Sequence, residues 1–217
     1  MSAEVVRAIA PLPTTAKIRI GWDADSVNAV RVAKILADAG IDALTVHGRT
    51  RAQGYSGAAD WNVIGEVAAA VSIPVIGNGD LASPADVAKR RHETGIAGAM
   101  IGRAAMSAPW IFRETKAYLA NGAVVDPPTL DERWKLILRH CELLVCEWGA
   151  EEPAIRSMRA RLMAYSKSMP EAKRLRETFS HVSTLADVKR IAEQNILNEE
   201  SRNEGEVRIQ IPVPLVS

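Results

Sequence analysis

Cysteine is scarce. The 217 residues hold two, Cys141 and Cys146, and a five-residue separation sets them off a common face of the helix-like stretch they share. With no second pair, a disulfide framework and a cysteine zinc site are both excluded. Long apolar runs are also missing, so no segment reads as membrane-spanning. Residues 1–10 show no basic flank followed by an apolar core, so a signal peptide is not expected there and a cytoplasmic location is. Charge of one sign is lacking as well. The formal net charge is +1, and a nucleic-acid surface must therefore come from local clustering.

Hydrophobic residues make up 47 % and charged residues 24 %, a balance that builds a packed core. The pattern is strand, helix, strand, helix. Residues 2–10 read as a helix broken by Pro11 and Pro13. Ala16 to Ile20 alternates apolar and basic residues, a period-two strand. Asp25 or Ser26 is expected to cap a helix bearing Val27, Val30, Ala33 and Leu36, closed by Gly40. A strand at 43–46 follows, then a helix capped by Asp60. The third strand is expected at 73–76 with Pro74 at its start. Ser83-Pro84 opens the next helix, Gly95 ends it, and residues 98–101 form the fourth strand. This alternation implies parallel strands with right-handed crossovers. Beyond Asn121-Gly122 and the Pro127-Pro128 linker, a capping box at Thr129 to Glu132 begins a region that reads as helix only, to about residue 200. The expected organisation is an α/β unit over 1–122, a helical unit over 123–202 and a disordered tail or edge extension over 203–217.

The chemistry concentrates at strand ends. Val46-His47-Gly48-Arg49-Thr50-Arg51 runs from a buried strand into a loop rich in hydrogen-bond donors, which continues to Tyr55 and Gly57. Asn78-Gly79-Asp80 and Gly102-Arg103 follow the next two strands. Two adjacent strand ends with bare amides and one guanidinium suit a phosphate group. Either alone reads better as a tight turn beside a surface charge. Lys17 and Arg19 share one face of the first strand, where a buried ammonium needs an electron-rich partner; the plainer reading is a solvated edge. His47 is as much a structural residue as a chemical one by this pattern, and nothing stands at metal-ligand spacing to it. Between Arg156 and Arg176 lie seven basic residues and one acid, Glu171. These include Arg156, Arg159 and Lys167, and the run suits a phosphate backbone or a solvated helix face. Trp134, Ile137, Cys141, Leu144 and Trp148 form a core stripe.

Lys17-Ile18-Arg19, His47 to Arg51, Asn78-Gly79-Asp80, Met100 to Arg103, Pro109 to Phe112 and Tyr165 to Pro170, in this order, resemble the tRNA-dihydrouridine synthase family, its bacterial B-type branch in particular. The resemblance implies the second half of a (β/α)8 TIM-type barrel, four parallel strands, followed by an all-helical domain. It implies FMN as cofactor, NADPH as reductant and tRNA as partner, with selected uridines reduced to 5,6-dihydrouridine. Lys17 and His47 would contact the flavin ring. Asn78, Gly79, Asp80, Gly102 and Arg103 would hold its phosphate. Arg19, Arg49, Arg51 and Tyr55 would face RNA, and Arg156, Arg159 and Lys167 would grip its backbone. The match begins before the family's fifth strand. The asparagine-glycine-cysteine-proline loop with its general-acid cysteine is therefore expected to be absent, leaving no catalytic residue in this chain. A truncated gene, a separate N-terminal half-barrel chain and self-association are the three expectations left open for the missing half. The alternative expectation is a non-catalytic tRNA-binding scaffold.

Overall fold

The computed structural model describes residues 2–209. The chain divides into two compact units, the first comprising residues up to 105 with 109–125, the second 106–108 with the chain from 126 onward.

In the first unit, α1 (Ser2–Ile9) precedes β1 (Thr15–Arg19), α2 (Ala29–Asp38), β2 (Ala43–His47), α3 (Trp61–Ala70), β3 (Val75–Asn78), α4 (Pro84–Thr94), β4 (Gly98–Met100), the first residues of α5 (Arg103–Ser107), and α6 (Ile111–Asn121). All four strands are parallel and stand in consecutive order, β1-β2-β3-β4. Neighbours in sequence are neighbours in space, and α2 packs on α3, α3 on α4, and α4 on α6. Right-handed crossovers all passing one side produce this singly wound order, the repeating unit of a TIM-type barrel; a doubly wound sheet would reverse its order midway.

The register sorts side chains by face. Ile18 pairs with Val46, and Val46 with Gly77, so these face the helices together with Leu44 and Val75. Leu44, Val46, Ile64 and Val67 are fully buried there, each worth about 1.5–3 kcal/mol of apolar burial. Gly77 is required by packing, because a Cβ would stand 2.6 Å from the Trp61 ring. The opposite face carries Lys17 beside Thr45, Arg19 beside His47, His47 beside Asn78, and Asn78 beside Met100. One face builds the core and the other collects polar groups.

Local signals explain most boundaries. The Asp60 carboxylate caps α3 by accepting from the N–H groups of Asn62 (3.0 Å) and Val63 (3.2 Å). Ser83 and Asp86 form a reciprocal capping box on α4, and Gly95 closes it in the left-handed conformation. Two details differ from expectation. Neither Asp25 nor Ser26 caps α2. Asp23 instead caps a short 3-10 turn, Ala24–Ser26, whose Ser26 hydroxyl bonds back to it, and α2 starts from Asn28. The third strand begins at Val75 rather than Ile73; Pro74, with no N–H to give, offers its carbonyl to Leu44 N–H at 3.0 Å.

The second unit holds α7 (Leu130–Trp148), α8 (Glu151–Tyr165), a 3-10 turn at Ser166–Ser168, α9 (Ala172–Phe179) and α10 (Leu185–Ile209). Trp134, Ile137, Cys141, Ile155, Met158, Leu162 and Phe179 fill its core. Trp134 meets Phe179 edge-on at 6.0 Å and donates its indole N–H to the buried Asn195 amide oxygen at 3.0 Å. Trp148, expected in the same stripe, is exposed at the helix end. Residues 203–209, expected to be a tail, continue α10 as helix; the rest of that expected tail, 210–217, lies outside the described residues.

Candidate functional site

The loop after β2 is built by its own backbone and by arginines that read it. Thr50 N–H donates to the Gln53 side chain at 2.8 Å, and Gln53 N–H returns a bond to the Thr50 hydroxyl at 3.2 Å. Arg51 and Ala52 N–H bond the carbonyls of Gly21 and Trp22 at 2.9 and 2.8 Å, tying the loop to the exit of β1. Arg19 reaches across the polar face and donates Nη1 to the carbonyls of Thr50 (2.8 Å) and Gly54 (3.2 Å).

Arg49, expected to face RNA, has a side chain only 2 % exposed. Its Nε donates to Ser56 O at 3.2 Å, and its Nη2 donates to Gly57 O and to the Asp80 carboxylate at 2.8 and 2.7 Å. A buried guanidinium needs an anion and acceptors, and this loop together with Asp80 supplies both. Its Nη1 is buried with no partner among the described residues.

Asp80 is the hub. Besides Arg49, it accepts from Ala59 N–H at 2.8 Å and from Arg103 Nη2 at 2.8 Å. Burial alone would raise its pKa; the Ala59 hydrogen bond and the two guanidiniums outweigh that and hold the carboxyl below its ordinary value. The backbone reaches it through a strained turn. Gly79 has φ +136°, and a Cβ there would stand 2.5 Å from that of Ala59, while Asp80 itself sits at φ +51°. The Trp61 indole pins the turn from below, donating to Gly79 O at 3.1 Å.

Arg103 is 58 % exposed and its guanidinium stands over the Tyr55 ring, 5.2 Å from the centroid. The Asn78 amide donates to Met100 O at 2.7 Å. Gly102 has open space where a side chain would project. His47 is buried, and its pKa falls to about 4, through burial first and then the positive charges of Arg19, Lys17 and Arg49. Lys17 is exposed on the polar face, its ammonium pKa lowered by partial burial and by Arg19. The side chains of Arg51 and Tyr55 are exposed.

In the helical unit Lys167 is exposed, Arg156 pairs with Glu152 at 2.6 Å, and Arg159 donates to Val182 O at 2.9 Å. Arg174 pairs with Glu171 at 3.4 Å. The basic run therefore spends part of its charge locally. Cys141 is buried, with its thiol pushed up to about 11, and Cys146 is exposed and free. No cluster with metal-holding composition occurs among the described residues, and no described helix is long and apolar enough to cross a membrane.

Sequence reasoning missed the Arg49–Asp80 pair, which joins residues 31 positions apart. It also missed the Ala59 N–H and the Trp61 indole. Only the positive φ of Gly79 had a local signal, the glycine itself.

A singly wound parallel sheet with its polar groups gathered at the strands' carboxyl ends is the layout of barrel-type α/β enzymes. The dihydrouridine synthase (Dus) family model matches residues 1–201, and the chain belongs to that family. It is 43 % identical over 180 residues to tRNA-dihydrouridine synthase B of Xanthomonas campestris pv. campestris, covering 83 % of this chain and 54 % of that protein. It is 43 % identical over 178 residues to tRNA-dihydrouridine synthase B of Pseudomonas aeruginosa, covering 82 % and 53 %. The chain thus spans about half the length of the curated relatives it matches. A solved mandelate oxidase variant aligns at 15 % identity with a TM-score of 0.32, over 90 % of this chain and 62 % of the other; a likeness at that level carries no argument.

Proposed function

We propose that this chain supplies the phosphate-holding and RNA-contacting part of an FMN-dependent tRNA-dihydrouridine synthase, acting in the cytoplasm with NADPH as reductant. The observation that carries this reading is Arg103. In a chain of the Dus family, a half-exposed guanidinium stands beside the open Gly102 and next to the Asn78–Asp80 turn.

When bound, FMN supplies the hydride that saturates the uracil ring. The roles of this chain's residues follow from charge and exposure. Arg103 forks onto phosphate oxygens while the Gly79 and Gly102 backbone lets the anion approach. Asn78 is fixed by Met100 and lines the same strand end. Lys17 and the neutral His47 offer donors on the polar face, toward ring carbonyls. Arg51 and Tyr55 are the exposed groups of the β2 loop available to RNA, and Arg19 shapes that loop instead. Arg156, Arg159 and Lys167 are the backbone-gripping candidates, with Lys167 free of the local pairing that occupies Arg156. A target base must leave its stack to reach a flavin.

The test is direct. The purified chain is titrated with FMN, and with unmodified tRNA at two salt concentrations. The expected result is saturable FMN quenching that Arg103→Ala weakens at least tenfold, and tRNA binding that falls steeply with salt. A colourless preparation that shifts tRNA but ignores FMN would replace this reading with a tRNA-binding scaffold.

A further inference from the structure

Two further side chains stand at the proposed phosphate site. One is the Asp80 carboxylate, an acid standing where an anion is to be held. The other is the Tyr55 ring, an aromatic that is 68 % exposed. Both touch the same guanidinium. Asp80 Oδ1 takes Arg103 Nη2 at 2.8 Å, and the Tyr55 ring lies under the guanidinium plane at 5.2 Å. We propose that Asp80 and Tyr55 are positioning residues for Arg103, holding its guanidinium at the strand ends before a phosphomonoester arrives. This inference rests on the phosphate reading above.

The geometry divides the work. An exposed arginine has many rotamers, and a ligand must freeze them as it binds. Here the carboxylate engages Nη2, which leaves the other donors of a five-donor fork for an incoming anion. The ring face holds the cation near its centre by a cation–π contact. Asp80 does not wander either, because Ala59 N–H and the buried Arg49 clamp it from the protein side. Order therefore passes from a buried arginine, through a shared acid, to an exposed one.

A plain electrostatic reading makes the opposite forecast. If Asp80 is only the counter-ion of Arg49, its charge repels a phosphate, and removing that charge tightens binding. If it positions Arg103, removal loosens binding. The experiment titrates the full chain with FMN and, separately, with riboflavin, which differs by the phosphate alone. The ratio of the two dissociation constants isolates the phosphate contribution from ring contacts and from overall stability.

Arg103→Ala is expected to bring that ratio near one. Tyr55→Ala, a change at an exposed site, lowers it roughly two- to fivefold, the scale of an exposed cation–π contact, with riboflavin affinity unchanged. Tyr55→Phe keeps the parent ratio, since the ring face is retained. Asp80→Asn lowers the ratio further than Tyr55→Ala. A parent that favours FMN while Tyr55→Ala matches it, a Tyr55→Phe as weak as Tyr55→Ala, or an Asp80→Asn that gains affinity for FMN would overturn the positioning role alone. A parent indifferent to the phosphate, or an Arg103→Ala that keeps the preference, overturns the phosphate reading and this inference with it.

Discussion

Asp80→Asn is the substitution that weighs the hub most sharply. The side chain keeps its size and loses its charge. Arg49 is left as a guanidinium 2 % exposed and without its carboxylate. Removing one partner of a buried ion pair costs about 3–5 kcal/mol. Asp80 is itself 35 % exposed, so water already shares in supporting the pair, and the expected loss is ~2–3 kcal/mol. Arg49→Met behaves differently because it deletes the buried charge along with its contacts. What it strands are the carbonyls of Ser56 and Gly57, in exposed residues that water can reach, and part of the Asp80 carboxylate, which is 35 % exposed and keeps Ala59 N–H and Arg103, for about 1–2 kcal/mol. The double variant should then lie near Arg49→Met, and Asp80→Asn should be the least stable of the three. Urea titration read by hydrogen exchange in a peptide spanning residues 43–78 reports this unit alone. An Asp80→Asn chain as stable as Arg49→Met, or a double variant less stable than either, would refute the assignment of Arg49 as a buried ion held by Asp80. Acid adds a second readout. The folded carboxyl titrates below its unfolded value, so its contribution is full above the ordinary carboxylate pKa. It disappears as pH falls through the lowered one, and Asp80→Asn should lack that acid loss.

His47, with a folded pKa near 4, stays neutral in the native chain while the unfolded chain takes up a proton near 6.5. Stability should therefore be full above pH 6.5, decline as pH drops toward 4 by roughly 3 kcal/mol in total, and level off below. A His47 ring-proton NMR titration with its midpoint at 6 or above would sink this. In the helical unit, Asn195→Leu leaves the Trp134 indole N–H buried without an acceptor and should cost about 1–3 kcal/mol. Thermal unfolding should show Trp134→Phe combined with Asn195→Leu recovering part of the loss, and no recovery would mean that the hydrogen bond is not what Asn195 contributes.

What was legible in the sequence follows from how far each signal travels along the chain. Caps act within four residues, so Asp60, Ser83 and Thr129 announced their helices, and Gly95 and Gly122 the ends of theirs. The alternation of helix and strand gave the parallel sheet; its consecutive order followed only from the resemblance to a half-barrel. Boundaries set by two competing local groups were harder. Ser26 looks like a helix cap but is itself bonded to Asp23. Side-chain direction at the site was mostly illegible. Arg49 and Arg51 are two positions apart in the same polar loop, yet one is buried and the other exposed, because Asp80 approaches Arg49 from the turn after β3. The basic run was legible as composition only. Its net effect depends on Glu152, which lies outside the run, and on Glu171, held at φ +55° and shared by Arg174 and Arg202.

Arg49 grips the backbone oxygens of Ser56 and Gly57 and touches no side chain there. The exposed non-glycine positions of the loop can thus be repainted without being resized. Changes of side chain at Ala52, Tyr55 or Ser56 leave the grip untouched, while a single inserted or deleted residue would carry both oxygens out of the guanidinium's reach. For anyone re-engineering what this rim recognises, composition is the free variable and length is the fixed one.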